Sequence, residues 1–66
     1  MFKAQEPSPI MKFFAYEHLP EHLKETSKLC HDLAKQVDST LPHGAEKSAG
    51  LRKLLEAKDC FVRANL

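Results

Sequence analysis

Apolar residues along this chain fall into two helical stretches that follow a short cluster near the start. Between 20 and 38, Leu23, Thr26, Cys30, Leu33 and Val37 recur at steps of 3, 4, 3 and 4. That spacing predicts an amphipathic helix with a coiled-coil-like stripe, which Leu29 and Ala34 widen. Pro20 fits its first position, where a missing N–H costs nothing, and Glu21 complements the helix dipole in the first turn. The breakers in Asp38-Ser39-Thr40-Leu41-Pro42-His43-Gly44 predict a turn. Residues 45–64 predict a second helix with two apolar lines. Leu51, Leu55 and Val62 form one, interrupted by Lys58; Leu54, Ala57 and Phe61 form the other, which starts at Gly50. One neighbouring helix covers only one of them.

The first fifteen residues, "MFKAQEPSPIMKFFA", read differently. Pro7 and Pro9 argue against an opening helix, and the apolar cluster Ile10, Met11, Phe13 and Phe14 is too short to be a domain. The expectation is an arm over 1–15 that packs on its own hairpin or on a neighbouring subunit. A helical hairpin domain then spans 16–66. The fold class is all-α: an antiparallel helical hairpin with an N-terminal arm. Its uncovered second line predicts assembly into a compact helical oligomer.

Composition changes this picture little. The chain has 66 residues, 42% of them apolar and 29% charged. It is therefore globular in character but near the lower size limit for an independent core. No apolar run approaches the roughly 20 residues that span a bilayer. Met1-Phe2-Lys3 is not followed by a signal-peptide apolar region, so a cytosolic location is expected. In a reducing compartment Cys30 and Cys60 are expected to be buried, small and apolar.

A net charge of +1 argues against a polyanion binder of DNA or RNA. Its distribution is more informative. Residues 17–38 carry three lysines against five acids, whereas 44–63 carry five basic residues against three acids. The two helices are thus complementary, within one chain or between chains.

His18-Leu19-Pro20-Glu21-His22 matches the H-x-x-E-H zinc-hydrolase pattern. That motif needs both histidines on one continuous helix, and Pro20 lies between them. Cys30 and His31 are adjacent, so on a helix they point about 100° apart and form no local nucleophile–base pair. With no glycine-rich phosphate loop either, the expectation is a protein that is not an enzyme and holds no metal or cofactor.

Binding residues are easier to nominate. Tyr16, the only tyrosine, sits just before the first helix. It either caps the bundle end by packing or offers a flat face to a planar ligand such as a purine. Lys28 has Glu25 and Asp32 three and four residues away. It is either part of a solvated ion-pair ladder or a phosphate contact. Lys47, Arg52, Lys53 and Lys58, with the Ser48 hydroxyl, make a denser basic set on the second helix. At the margin of an oligomer interface such residues create a positive pocket by symmetry, suited to an anion.

The segments "YEHLPEHLKETSK" and "GLRKLLEAKDCFVRA", joined by a short proline turn, resemble the small phage proteins that antagonise bacterial CBASS immunity by sequestering its cyclic oligonucleotide messengers. A similar helical hairpin occurs in phage proteins that oppose the Thoeris system. The likeness covers roughly residues 16–64 and rests on overall pattern. It implies a non-enzymatic sponge for cyclic dinucleotides, such as cyclic GMP-AMP, or cyclic trinucleotides, working in the cytoplasm of an infected bacterium. It also implies a homo-oligomer, typically a hexamer, with ligands in pockets between protomers. By the resemblance, Tyr16 stacks on a base and Lys28 contacts phosphate, with His31 as a rival one turn later. Lys47, Ser48 and Arg52 are the nearest equivalents of the trinucleotide pocket. The arm over 1–15 has no clear counterpart in that resemblance. The alternative expectation is a small helical module that binds a host protein through the arm and the second helix.

Overall fold

A computed structural model describes residues 6–66; the start of the arm, including Met1 to Lys3, lies outside the described residues. Two long helices, α1 (Glu21–Thr40) and α2 (Ala45–Ala64), pack antiparallel as a hairpin, and the arm lies across them. The hairpin expected from the spacing of apolar residues is therefore the fold.

The arm is not wholly irregular. It forms a short 3₁₀ helix over Pro9–Phe14, with Pro9 at its start. Pro9 blocks no bond there, because the first N–H groups of a helix have no partner inside it. The prolines thus set where this turn begins rather than preventing it. Phe14 is wholly buried against Cys30, Ala34 and Leu51, with Ile10 and Met11 packed alongside. The arm covers its own hairpin.

The buried line on α1 is rotated from the expected one. Leu23, Ser27, Cys30, Ala34 and Asp38 face inward, while Leu29 and Leu33 are exposed. Small residues at 27, 30 and 34 let α2 and Phe14 approach closely, and Phe14 supplies the bulk that Leu33 would have brought. Ser27 is wholly buried and its hydroxyl has no hydrogen-bond partner.

Helix boundaries shift slightly. Pro20 sits one residue before the first turn of α1, at the N-cap, and its carbonyl accepts bonds from Leu23 and Lys24 at 3.0 and 2.9 Å. α1 also runs two residues past Asp38. The Thr40 hydroxyl donates to the Gln36 carbonyl at 2.7 Å and the Leu41 N–H to Val37 at 3.0 Å, which satisfies carbonyls of the last turn before Pro42 stops the helix. α2 has the expected limits. Its N-cap is Gly44, whose carbonyl accepts the Ser48 N–H at 3.0 Å.

Cys30 is buried and Cys60 exposed, both as free thiols. The expectation that both are buried fails for Cys60, because helical spacing carries it away from the Leu51–Leu55 line facing α1. Lys58 lies on that line and is largely covered. Its ammonium reaches Asp59 at 3.2 Å while its stem stays against the hairpin.

Candidate ligand-binding site

The loop between the 3₁₀ helix and α1 positions Tyr16. Phe14 anchors one end of this loop in the core. The Leu19 N–H closes a turn onto the Tyr16 carbonyl at 3.1 Å at the other. The half-buried Tyr16 ring then lies beside the His31 ring, with centroids 5.1 Å apart and planes tilted by 60°. This is the edge-on range of aromatic packing, and it leaves part of the tyrosine uncovered.

Asp32 joins His31 to Lys28. Its two carboxylate oxygens lie 3.2 Å from His31 Nδ1 and 3.3 Å from Lys28 Nζ. The hydrogen bonds from His31 and then Lys28 hold the Asp32 carboxyl below the usual carboxylate range. Tyr16, Lys28 and His31 therefore meet in one cluster at the arm side of α1. Lys28 and His31, the rival phosphate contacts, share a single acid.

Lys47 is elsewhere. Its ammonium is buried at the hairpin turn, 2.9 Å from Asp38 Oδ1, and donates to the carbonyls of Asp38 and Leu41 at 2.8 and 3.1 Å. Those bonds tie the end of α1 to the start of α2, so the group points into the protein. Asp38 in turn accepts bonds from the Ser8 hydroxyl and from the Ser8 N–H, the latter at 2.8 Å. The arm is thus fastened to the same ion pair. Burial raises the Asp38 carboxyl, but the Ser8 bonds and Lys47 outweigh it and bring the pKa down to about 2.

Ser48 and Arg52 are exposed one turn apart on α2. They line a groove of about 440 Å³ between the arm and α2, with Pro9, Ile10, His43 and Leu51 among its other walls. They also border a second hollow of about 470 Å³ with Lys53 and Glu56. A third groove, of about 340 Å³, lies between the arm and α1 and includes His31 and Lys35. Pro7 lines both the first and the third. The arm therefore divides the Ser48–Arg52 pair from the Tyr16–Lys28–His31 cluster.

Three contributors were not visible as site residues in the sequence: Asp32 as a bridge, His43 in the α2 groove and Lys35 in the α1 groove. Lys35 follows His31 by one turn, a spacing that could have flagged it. The H-x-x-E-H residues do not converge, since His18 lies in the turn before Pro20 and His22 in the first turn of α1. Among the described residues no group of His, Cys, Asp and Glu is placed to hold a metal, and no helix is long and apolar enough to cross a membrane.

The face away from the arm is apolar. On α1, helical spacing puts Leu29 and Leu33 on the opposite flank of the buried line from His31 and Lys35. On α2 it puts Leu54 and Phe61 opposite Ser48 and Arg52. Leu29, Leu33 and Phe61 are each more than half exposed, at 69, 52 and 53%. Leu54 packs partly against the core, whereas Leu29, Leu33 and Phe61 stay largely uncovered among the described residues. Compared with protein-family models, with curated proteins and with solved structures, the chain gives no match.

Proposed function

We propose that this protein binds cyclic di- or trinucleotide second messengers and sequesters them without cleavage, so suppressing CBASS-type antiphage signalling in an infected bacterial cytoplasm. The observation that carries the reading is the Tyr16–His31 ring pair with Lys28 one turn away. A partly open aromatic face beside a cation is what a purine linked to a phosphodiester requires. The likeness of residues 16–64 to the phage sponge proteins points to the same ligand class. Stoichiometric capture by a small, abundant protein needs tight binding and no turnover, which suits a cluster without a nucleophile–base pair.

A homo-oligomer, a hexamer by that likeness, accounts for the uncovered face of Leu29, Leu33 and Phe61. Ligand pockets between protomers then complete sites that one hairpin leaves open. The same face also favours a second reading, in which the chain is a helical module that docks on a host protein.

The test is calorimetric titration against a panel of cyclic oligonucleotides, followed by denaturation and chromatography of the released ligand. Saturable binding with intact ligand recovered is expected. Linear products would mean an enzyme. An absence of binding, with a stoichiometric protein partner in a pull-down, would favour the docking module.

A further inference from the structure

Lys24, Lys28, His31 and Lys35 recur on α1 at steps of 4, 3 and 4, which places them on one stripe beside the arm. Their surroundings differ. Lys24 Nζ lies 3.5 Å from Glu21, and Lys28 and His31 share Asp32. Lys35 has no ion pair or hydrogen bond from its side chain among the described residues. The two acids three residues away on either side, Asp32 and Asp38, are already engaged. Asp32 faces Lys28 and His31, and Asp38 faces Ser8 and Lys47.

This lysine borders the 340 Å³ groove between α1 and the arm, together with Pro7, Met11, His31, Asp38 and Ser39. Through His31 the groove meets the Tyr16 ring. One helical turn separates His31 from Lys35, about 6 Å along the axis. That is on the scale of the distance from a base to its own phosphodiester. Pro7 and Met11 form an apolar wall of the groove. Asp38 would repel an anion were it unpaired, but Lys47 neutralises it and Ser8 donates two hydrogen bonds to it.

We infer that Lys35 is the principal phosphate-binding residue of this site, holding a phosphodiester of the cyclic oligonucleotide in the groove against the arm while a base lies on the Tyr16–His31 pair. The inference rests on the proposed cyclic-oligonucleotide reading and names a residue of its site. A phosphate arriving at Lys28 must displace Asp32, whereas at Lys35 it meets a cation with no carboxylate to displace. The arm takes part in binding as the second wall.

The experiment compares the full-length protein with Lys35→Gln, Lys35→Arg and Lys28→Gln by calorimetry, using cyclic GMP-AMP and cyclic tri-AMP, with thermal melting of each variant alone. Lys35→Gln is expected to weaken the ligand that binds by about tenfold. Lys35→Arg should retain most of the affinity, Lys28→Gln should lose less than Lys35→Gln, and all should melt like the parent. Parental affinity in Lys35→Gln, or a larger loss in Lys28→Gln, overturns the assignment while leaving the proposed function intact. A melting point lowered by Lys35→Gln gives the lysine to the fold and also overturns it. If the parent protein binds neither ligand, the functional reading and this inference fall together.

Discussion

Asp38 and Lys47 meet across the seam between α1 and α2, with Nζ 2.9 Å from Oδ1 and both side chains almost fully buried. Each group also satisfies backbone or arm partners, so the pair joins four parts of the chain: the end of α1, the turn, the start of α2 and Ser8. Removing one partner strands the other charge. Asp38→Asn or Lys47→Met is therefore expected to lower stability in urea by about 3–5 kcal/mol. The double variant should lose much less than the sum of the two. Simple additivity would show that the groups do not act as a pair.

The same pair sets an acid limit. Asp38 has its carboxyl at about 2 in the folded protein against 3.8 for an unperturbed aspartate. A depressed value means that the folded state holds the charged form more strongly than the unfolded state does. Its stabilisation is complete above the unfolded value and is lost as pH falls from about 4 through 2. Thermal melts across that window should drop steeply in the parent and less so in Asp38→Asn. Asp32 is exposed and shifted the same way, but solvent screening makes its share small. Parallel melting curves for the two proteins would exclude Asp38 as the cause.

Ser27 lies in the helix seam with a hydroxyl that bonds to nothing. Alanine fills nearly the same space, has no polar group to desolvate and favours the helix. Ser27→Ala should stabilise the protein by roughly 1 kcal/mol, read from the urea midpoint. A destabilised variant would reveal a bond that the hydroxyl makes in solution.

Helix limits and the hairpin were legible because apolar spacing and breakers act locally. Pro20, Pro42 and Gly44 mark ends that need no tertiary information. What the spacing could not show was which of several apolar residues on α1 would turn inward. Thr26 and Leu33 fit the stripe as well as Ser27 and Ala34 do, and the choice was made by Phe14, a residue from outside the helix. The burial of Lys47 was not legible for a related reason. Its basic character is visible in sequence, but its burial follows from Asp38, nine residues earlier, and from the carbonyls left free at the end of α1. Tyr16 and His31 were each nominated, and their contact depends on the path of the loop after Phe14.

The uncovered face separates folding from assembly. Leu29, Leu33 and Phe61 are exposed in the single chain. A Leu29→Glu or Phe61→Glu change there should leave the hairpin folded by circular dichroism, since surface changes usually fall within about 0.5 kcal/mol. Sedimentation should show a shift toward smaller species, because a charge would be buried unpaired in any contact made by that face. The α1 rim carries Glu25 and the α2 rim carries Lys53, so copies that set α1 against α2 pair opposite signs. Species of unchanged mass would mean that this face does not join copies of the chain.

Tyr16 provides the most direct test of base stacking. Its ring packs against His31 on one side and stays partly open. If a purine lies on that ring, the aromatic surface is what matters and the hydroxyl contributes little. Tyr16→Phe should therefore bind a cyclic dinucleotide almost as the parent does. Tyr16→Ala should lose about 1–3 kcal/mol, the usual range for removing an aromatic platform under one base. Because Tyr16 is half-buried, melting of each variant must be measured beside the titration. A Tyr16→Ala protein that assembles and melts normally but binds less tightly places the base on the ring. Equal affinity in all three proteins would leave Tyr16 as a packing residue at the end of the hairpin.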